Sequence, residues 1–259
     1  MMEYIQLTMD NLATEHICCA ITEKKGEHRA ADKKAWLKER LEEGLVFLKA
    51  NVRGKVFIEY IDAEKAWVPI QAHNCLFINC LWVAGQYKGK GYAHELLTYC
   101  IEDAKARGKQ GICVISAKKK QSYLADRHYL EHYGFQLVDE IFPYQLYYLP
   151  IPIKDTPQES DAIIPKFLEH AKTLQCEENG FVLYYSCQCP HAACYGEKAA
   201  QLAQEANWEV HVHHIKTKEE AQQLPCPTTT YALFLNHRFI THEIQSEKKL
   251  KELLSQYEK

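Results

Sequence analysis

The chain is 259 residues long, 47% apolar and 25% charged, with a net charge of −3. That length builds one large or two modest domains, and the near-balance of charge argues against a nucleic-acid surface, which needs a strongly basic face. No apolar run approaches the roughly 18 residues of a membrane-spanning helix, so no membrane association is expected. Met1–Asp10 carries Glu3 and Asp10 without a basic start, unlike a secretory signal. The eleven cysteines are scattered, and Cys80, Cys100 and Cys113 sit in apolar patterns. Thiols used as small hydrophobes suit a reducing, cytoplasmic setting.

Taken in order, Tyr4–Thr8 alternates like a short strand, and Asp10 or Asn11 can cap a helix through about Ala20. Lys24–Lys34 reads as a solvated loop. Trp36, Leu37, Arg40 and Leu41 give an amphipathic helix stopped by Gly44. Leu45–Ala50 and Lys55–Tyr60 are strands joined by the turn Asn51-Val52-Arg53-Gly54. Ala66–Ile70 leads to Leu76–Val83, an almost unbroken apolar run that reads as a strand buried on both faces.

That strand breaks at Ala84-Gly85-Gln86-Tyr87-Lys88-Gly89-Lys90-Gly91, and a periodic helix follows with Ala93, Leu96, Leu97, Cys100, Ile101 and Ala104 on one face. Arg107 and Gly108 end it. A strand, a glycine turn and a helix start together suit phosphate: backbone N–H groups point outward, the helix dipole adds positive charge, and glycine lets an anion approach. There is no Gly-Lys-Ser/Thr, so this is no P-loop, and the spacing is not that of a dinucleotide fingerprint. Gly111–Ser116 reads as the next strand. Lys118-Lys119-Lys120 is a charge run after its end, and Gln121–Tyr133 is expected to be a helix with Tyr129, Leu130 and Tyr133 on one face. Gly134-Phe135 opens a strand to Asp139, and Leu146–Leu149 closes the sheet.

Pro150, Pro152 and Pro157, with Asp155, Gln158, Glu159 and Ser160, break the composition. The expected division is therefore a domain over residues 1–150, a linker over 151–178 and a second domain over 179–259. Ile163–Leu174 reads either as a short docking helix or as extended chain. Beyond it, Phe181–Tyr185, Trp208–Ile215, Tyr231–Leu235 and Arg238–Ile244 are strands. Helices are expected after Cys187-Gln188-Cys189-Pro190, over Lys218–Leu224 and over Ser246–Tyr257, with a hairpin turn at Asn236-His237.

The pattern Gln-x-x-Gly-x-Gly-x-Ala, at Gln86, Gly89, Gly91 and Ala93, resembles the acetyl-CoA pyrophosphate loop of the GNAT acetyltransferase family. The stretch from Ala125 through Tyr129, Leu130 and Tyr133 to Gly134-Phe135 resembles that family's second motif. There the tyrosine that protonates departing CoA in many relatives falls at Leu130, one residue after Tyr129. The β-α-β-α-β-β-α order after Gly180 resembles a small thioredoxin-like domain, with Cys189-Pro190 at the nucleophile turn and Pro227-Thr228 similar to a cis-proline loop. The combination looks like the YoaP-type acetyltransferases. The implied fold is α/β (α+β), a GNAT mixed sheet plus a smaller thioredoxin-like domain. The implied activity is transfer of acetyl from acetyl-CoA to an amine on a small molecule or peptide.

Under that resemblance the cofactor lies along Leu81, Trp82 and Val83 and around Gln86, Tyr87, Lys88, Gly89, Lys90, Gly91, Tyr92 and Ala93. A main-chain N–H near Leu81–Val83 serves as oxyanion donor. Tyr129 or Tyr133 is the candidate general acid, and Glu59, Asp62 and Glu64 are candidate bases. A non-catalytic acyl-CoA-binding module with a partner-binding second domain, and a thiol oxidoreductase centred on Cys189, are the rival readings. From Cys189 the partner position of a Cys-x-x-Cys motif is Ala192, so the redox motif is absent, but Cys226 could approach Cys189 in space. No metal is expected: neither Cys187, Cys189, Cys194 and His191 nor His211, His213 and His214 has paired ligand spacing.

Overall fold

The computed structural model describes residues 2–17, 19–21, 28–152 and 164–257. Contacts divide the chain into two compact units, and the division is not a single cut. One comprises Met1–Ile21, Leu37–Ala66 and Ile70–Phe167; the other comprises Thr22–Trp36, Trp67–Pro69 and Leu168–Lys259. Most of the composition break, and part of the Lys24–Lys34 segment, lie outside the described residues.

The first unit is built on a seven-stranded sheet. Its strands are β1 (Tyr4–Gln6), β2 (Val46–Ala50), β3 (Val56–Asp62), β5 (Cys75–Val83), β6 (Gly111–Ala117), β7 (Gln136–Ile141) and β8 (Tyr144–Pro150), in the order β1-β2-β3-β5-β6-β8-β7. A two-residue β4 (Ile70–Gln71) pairs separately with β9 (Lys166–Phe167). Only β5 and β6 run parallel; the other pairs are antiparallel. Alternation decides the faces. Val46, Leu48, Ala50, Val56, Ile58 and Tyr60 turn toward the core that also holds Leu96, Leu97, Cys100 and Ala104 of helix α2 (Tyr92–Ala106). Phe47 and Phe57 stack on the opposite face at 4.9 Å. Each fully buried leucine of α2 contributes about 1.5–3 kcal/mol by leaving water.

Several local expectations change. Asn11 closes a turn instead of starting a helix: its side chain accepts from the Thr8 N–H and donates to the Gln6 carbonyl, leaving residues 9–15 in turns. Helix α1 (Arg29–Glu42) begins inside the segment read as loop. Helix α3 (Arg127–His132) is shorter than expected because the Asp126 carboxylate caps it, accepting from the His128 N–H, which fixes its start six residues after Gln121. Strand β8 lies between β6 and β7, so β7 is the edge. The peptide between Phe142 and Pro143, in the β7–β8 hairpin, is cis.

The second unit carries strands β10 (Phe181–Ser186), β11 (Val210–Ile215), β12 (Tyr231–Leu235) and β13 (Arg238–Thr241), in the order β11-β10-β12-β13. β10 and β11 are parallel, and the remaining pairs antiparallel. Helices α4 (Pro190–Glu205), α5 (Lys218–Gln222) and α6 (Glu247–Tyr257) complete the β-α-β-α-β-β-α order read from the sequence. Small residues let α4 lie close to the sheet: a Cβ on Gly196 would meet the Leu183 side chain at 3.2 Å. Ala192, Ala199, Ala203, Leu250 and Leu254 fill the same core as Phe181, Leu183 and Leu235. Asn236 and His237 take positive φ in the tight turn between β12 and β13. The segment Ile163–Leu174 contains β9 and a short 3-10 turn, Glu169–Lys172, where a docking helix was one expectation.

Candidate active site

The site of the first unit begins where its parallel strands part. β5 and β6 pair only at Cys75–Gly111, Leu76–Ile112 and Phe77–Cys113. Beyond Phe77 they diverge, so β5 is not buried on both faces along its length. Cys75–Ile78 are buried and Asn79–Val83 half-exposed. On the β6 arm, Ser116 bridges to Ala125, and its hydroxyl donates to the Ala125 carbonyl at 2.7 Å. The β5 arm stays paired with β3 on one side, through Val56–Val83, Phe57–Trp82 and Ile58–Leu81. Its other edge, over residues 78–83, has no strand partner among the described residues. A register shift between Glu59 and Tyr60 places a bulge at Asn79, whose amide donates to buried Glu59 at 3.0 Å. Bulges re-aim a strand at sites of this kind.

The expected phosphate turn follows. Gly85-Gln86-Tyr87 forms a 3-10 turn, and Gly85, Gly89 and Gly91 all have positive φ. An L side chain at these three positions would be strained, yet a Cβ there would meet nothing within 4 Å, so the ground in front of the turn is open. Gly91 caps α2 without a side-chain hydrogen bond. The first intrahelical bond runs from Glu95 to Gly91, which leaves the N–H groups of Tyr92, Ala93 and His94 without an intrahelical acceptor. Lys88 and Lys90 are exposed on the turn. Gly54 seats the Tyr87 ring closely, and the Lys55 ammonium lies 4.3 Å from the Trp82 ring centre. The eleven residues expected to hold the cofactor thus form one continuous strand end, turn and first helical turn.

Tyr129 lies on α3 and Tyr133 just beyond its end. Their rings are 4.8 Å apart, and Tyr133 stacks on His94 of α2 at 5.0 Å. The Tyr129 hydroxyl is buried with no hydrogen-bond partner. Burial, with a smaller effect from Tyr133, pushes its pKa up, so it stays a protonated donor. Two of the three candidate bases have structural work: Asp62 pairs with Arg107 at 2.6 Å and Lys109 at 2.8 Å, and Glu64 accepts from the Asn74 N–H. Glu59 alone lies beside the β5 bulge. His94 and the Asn79 bulge were not legible as site features. A bulge depends on cross-strand register, and His94 is one exposed residue of a helix.

In the second unit Cys189 caps the N-terminus of α4 and is half-buried. Cys226 is fully buried; its thiol donates to the Thr228 carbonyl at 3.2 Å, and burial pushes its pKa up to about 12. A packed, hydrogen-bonded thiol of this kind is disfavoured as a thiolate. The peptide before Pro227 is not cis, so the cis-proline resemblance fails there. No group of three His, Cys, Asp or Glu among the described residues is arranged to hold a metal. Among those residues no helix is long and apolar enough to cross a membrane.

The Acetyltransferase (GNAT) family model matches residues 10–135, and a YoaP-like model matches residues 210–252. The chain belongs to the GNAT acetyltransferase family and carries a YoaP-like region at its C-terminal end. Over 252 residues it is 45% identical to the uncharacterized N-acetyltransferase YoaP of Bacillus subtilis (strain 168), covering 97% of this chain and 98% of that one. Among solved structures, a putative GNAT-family acetyltransferase from Desulfovibrio desulfuricans aligns with TM-score 0.44 and 15% identity, over 59% of this chain and 100% of that chain. The putative acetyltransferase yncA of Salmonella typhimurium, solved with acetyl-CoA, aligns with TM-score 0.41 and 14% identity, over 60% of this chain and 97% of that chain.

Proposed function

We propose that the protein transfers the acetyl group of acetyl-CoA directly to a primary amine of a small molecule or peptide. The observation that carries this reading is the open β5 edge running into the glycine turn and the first turn of α2, which has no side-chain cap. The backbone of residues 81–83 would pair with the amide-bearing arm of the cofactor as a missing strand would. The N–H groups of the Gly89–Ala93 stretch, with the Lys88 and Lys90 side chains, would hold its pyrophosphate, since those of Tyr87 and Lys88 are taken up in the 3-10 turn. When bound, acetyl-CoA supplies the activated acetyl group. A β5 N–H near Leu81–Val83 would donate to the thioester carbonyl oxygen as negative charge develops there.

Glu59 is the carboxylate best placed to take the proton of the attacking ammonium, because it is buried beside the bulge while Asp62 and Glu64 are held in ion pairs and turns. Tyr129 is favoured over Tyr133 as the donor to the leaving thiolate. Its hydroxyl is buried, protonated and without another partner. The test is release of free CoA from acetyl-CoA with a panel of primary amines, followed by mass detection of the acetylated product. Binding of acetyl-CoA with no CoA release on any amine, or with any native extract, would favour a non-catalytic acyl-CoA-binding module.

A further inference from the structure

The C-terminal unit carries a second chemically equipped place at the carboxyl ends of its two parallel strands. β10 and β11 pair in register, with Tyr185 opposite His214 and Ser186 opposite Ile215. Cross-strand partners on one face touch, and the Tyr185 and His214 rings stack at 4.7 Å, only 7° from parallel. Cys187 follows two residues after Tyr185 and so returns to the same side. Its Sγ lies 3.3 Å from the His214 Nε2. The next turn leads through Cys189 into the N-terminus of the 16-residue α4, where the Cys189 side chain makes no capping bond. Parallel strand ends in front of a helix N-terminus are where open α/β sheets take ligands. In sequence Cys187 is flanked by Ser186 and Gln188, whose Oγ and Oε1 atoms are buried and lack hydrogen-bond partners.

We propose that Cys187, with His214 as its base, is a thiol–disulfide exchange site that accepts low-molecular-weight disulfides. The thiol proton passes to the free electron pair of His214 Nε2 as Sγ attacks one sulfur of the disulfide. The ligand's S–S bond breaks, a Cys187–S–S–R bond forms, and the departing thiolate takes the proton back from the imidazolium. No external oxidant is consumed, because the ligand disulfide is the oxidant. An adjacent base activates a nucleophile that is weak alone, and such a base is needed here. Burial, then the nearby Asp32 carboxylate, hold the Cys187 pKa up at about 11, against a smaller opposite effect of Lys33. His214 is held neutral by burial and by Lys216, with Asp32, Glu220 and Glu197 acting in the other direction. The neutral imidazole keeps Nε2 facing the thiol, and because both shifts oppose an ion pair at rest, the proton moves only as Sγ bonds to the disulfide.

Cys189, at the N-terminus of α4, and Cys194, within α4, are the internal controls. The full-length protein, reduced and freed of reductant, is mixed with cystine, and cysteinyl adducts are followed by intact mass and peptide mapping. Cys187 is expected to be modified first, at least tenfold faster than Cys189 or Cys194. His214→Gln should slow that adduct by about 10²-fold, the low end for loss of a general base, and Cys187→Ser should abolish it with folding retained by circular dichroism. Should His214→Gln fail to fold, the wild-type rate against pH decides, since it must rise as the imidazole loses its proton. First modification at Cys189 or Cys194, an unchanged rate in folded His214→Gln, or a pH profile without an imidazole step would each overturn the proposal.

Discussion

Two places in this molecule share one blueprint: a strand of a parallel pair, a turn, then a helix of fifteen or sixteen residues. After β5 the turn holds three glycines in the left-handed region, and no side chain crowds the space before α2. After β10 the turn has no glycine; it is Cys187-Gln188-Cys189-Pro190, with proline opening α4. The first turn presents backbone, which suits a bulky anion. The second presents thiols and a cross-strand imidazole, which suits a small covalent partner. Identical topology is thus fitted for different chemistry according to whether the turn withholds side chains or supplies them.

The largest test of that contrast strikes the backbone-built site. Gly89→Glu should reduce CoA affinity more than 100-fold by calorimetry, since it sets bulk and negative charge where the pyrophosphate would lie. The φ of +72° adds strain of about 1–2 kcal/mol for a side chain, so the melting temperature must be followed in parallel. Unchanged CoA affinity in a folded variant removes the pyrophosphate assignment. Next comes Tyr129→Phe, expected to lower kcat by about 10²–10⁴-fold while leaving CoA affinity intact. Because the hydroxyl it deletes is buried and unpartnered, stability should hold or rise. A loss of stability together with normal kcat would make the hydroxyl structural. Tyr133→Phe, whose ring stacks on His94, should cost kcat less.

Smaller effects separate packing from chemistry. Leu250→Ala opens a hole beside α4 and should cost about 2–5 kcal/mol in denaturant unfolding. Cys226→Ala should leave the thiol count titrated in the native state unchanged, because that thiol is fully buried. A drop by one in native titration would show Cys226 to be accessible. The smallest expected effect is on pH dependence. Burial, then Lys49, lower the pKa of His16, whose Nε2 lies 3.0 Å from the Val52 carbonyl. The unfolded state therefore binds this proton more readily than the folded state. The stability linked to His16 is present above the ordinary imidazole value of about 6.5 and is lost as pH falls through the lower folded value. His16→Gln should flatten that slope in melts taken across the acid side of neutrality.

What could be read from the chain was what local order encodes. The apolar run to Val83, the glycines after it and the helix from Tyr92 stand in the sequence as they stand in the fold, and Tyr231–Leu235 matches residue for residue. Helix starts were missed where a side chain chose a turn over a helix, as Asn11 does, or capped late, as Asp126 does. That β5 parts from β6 as early as Phe77 could not be placed, because the onset depends on strand pairing and on the Ser116–Ala125 bridge. The Cys187–His214 pair was hidden for the same reason. Two strands had to fall into register before residues 27 positions apart could meet.

The edge of β5 over residues 78–83, without a strand partner among the described residues, has a consequence for the lifetime of the protein in a cell. A bare strand edge invites pairing with other chains, and a ligand that occupies it stabilises the folded state by mass action. With acetyl-CoA as that ligand, a well-fed cell would hold the seam shut and a starved one would leave it open to proteases and to its own copies. Abundance of the enzyme would then follow supply of its co-substrate.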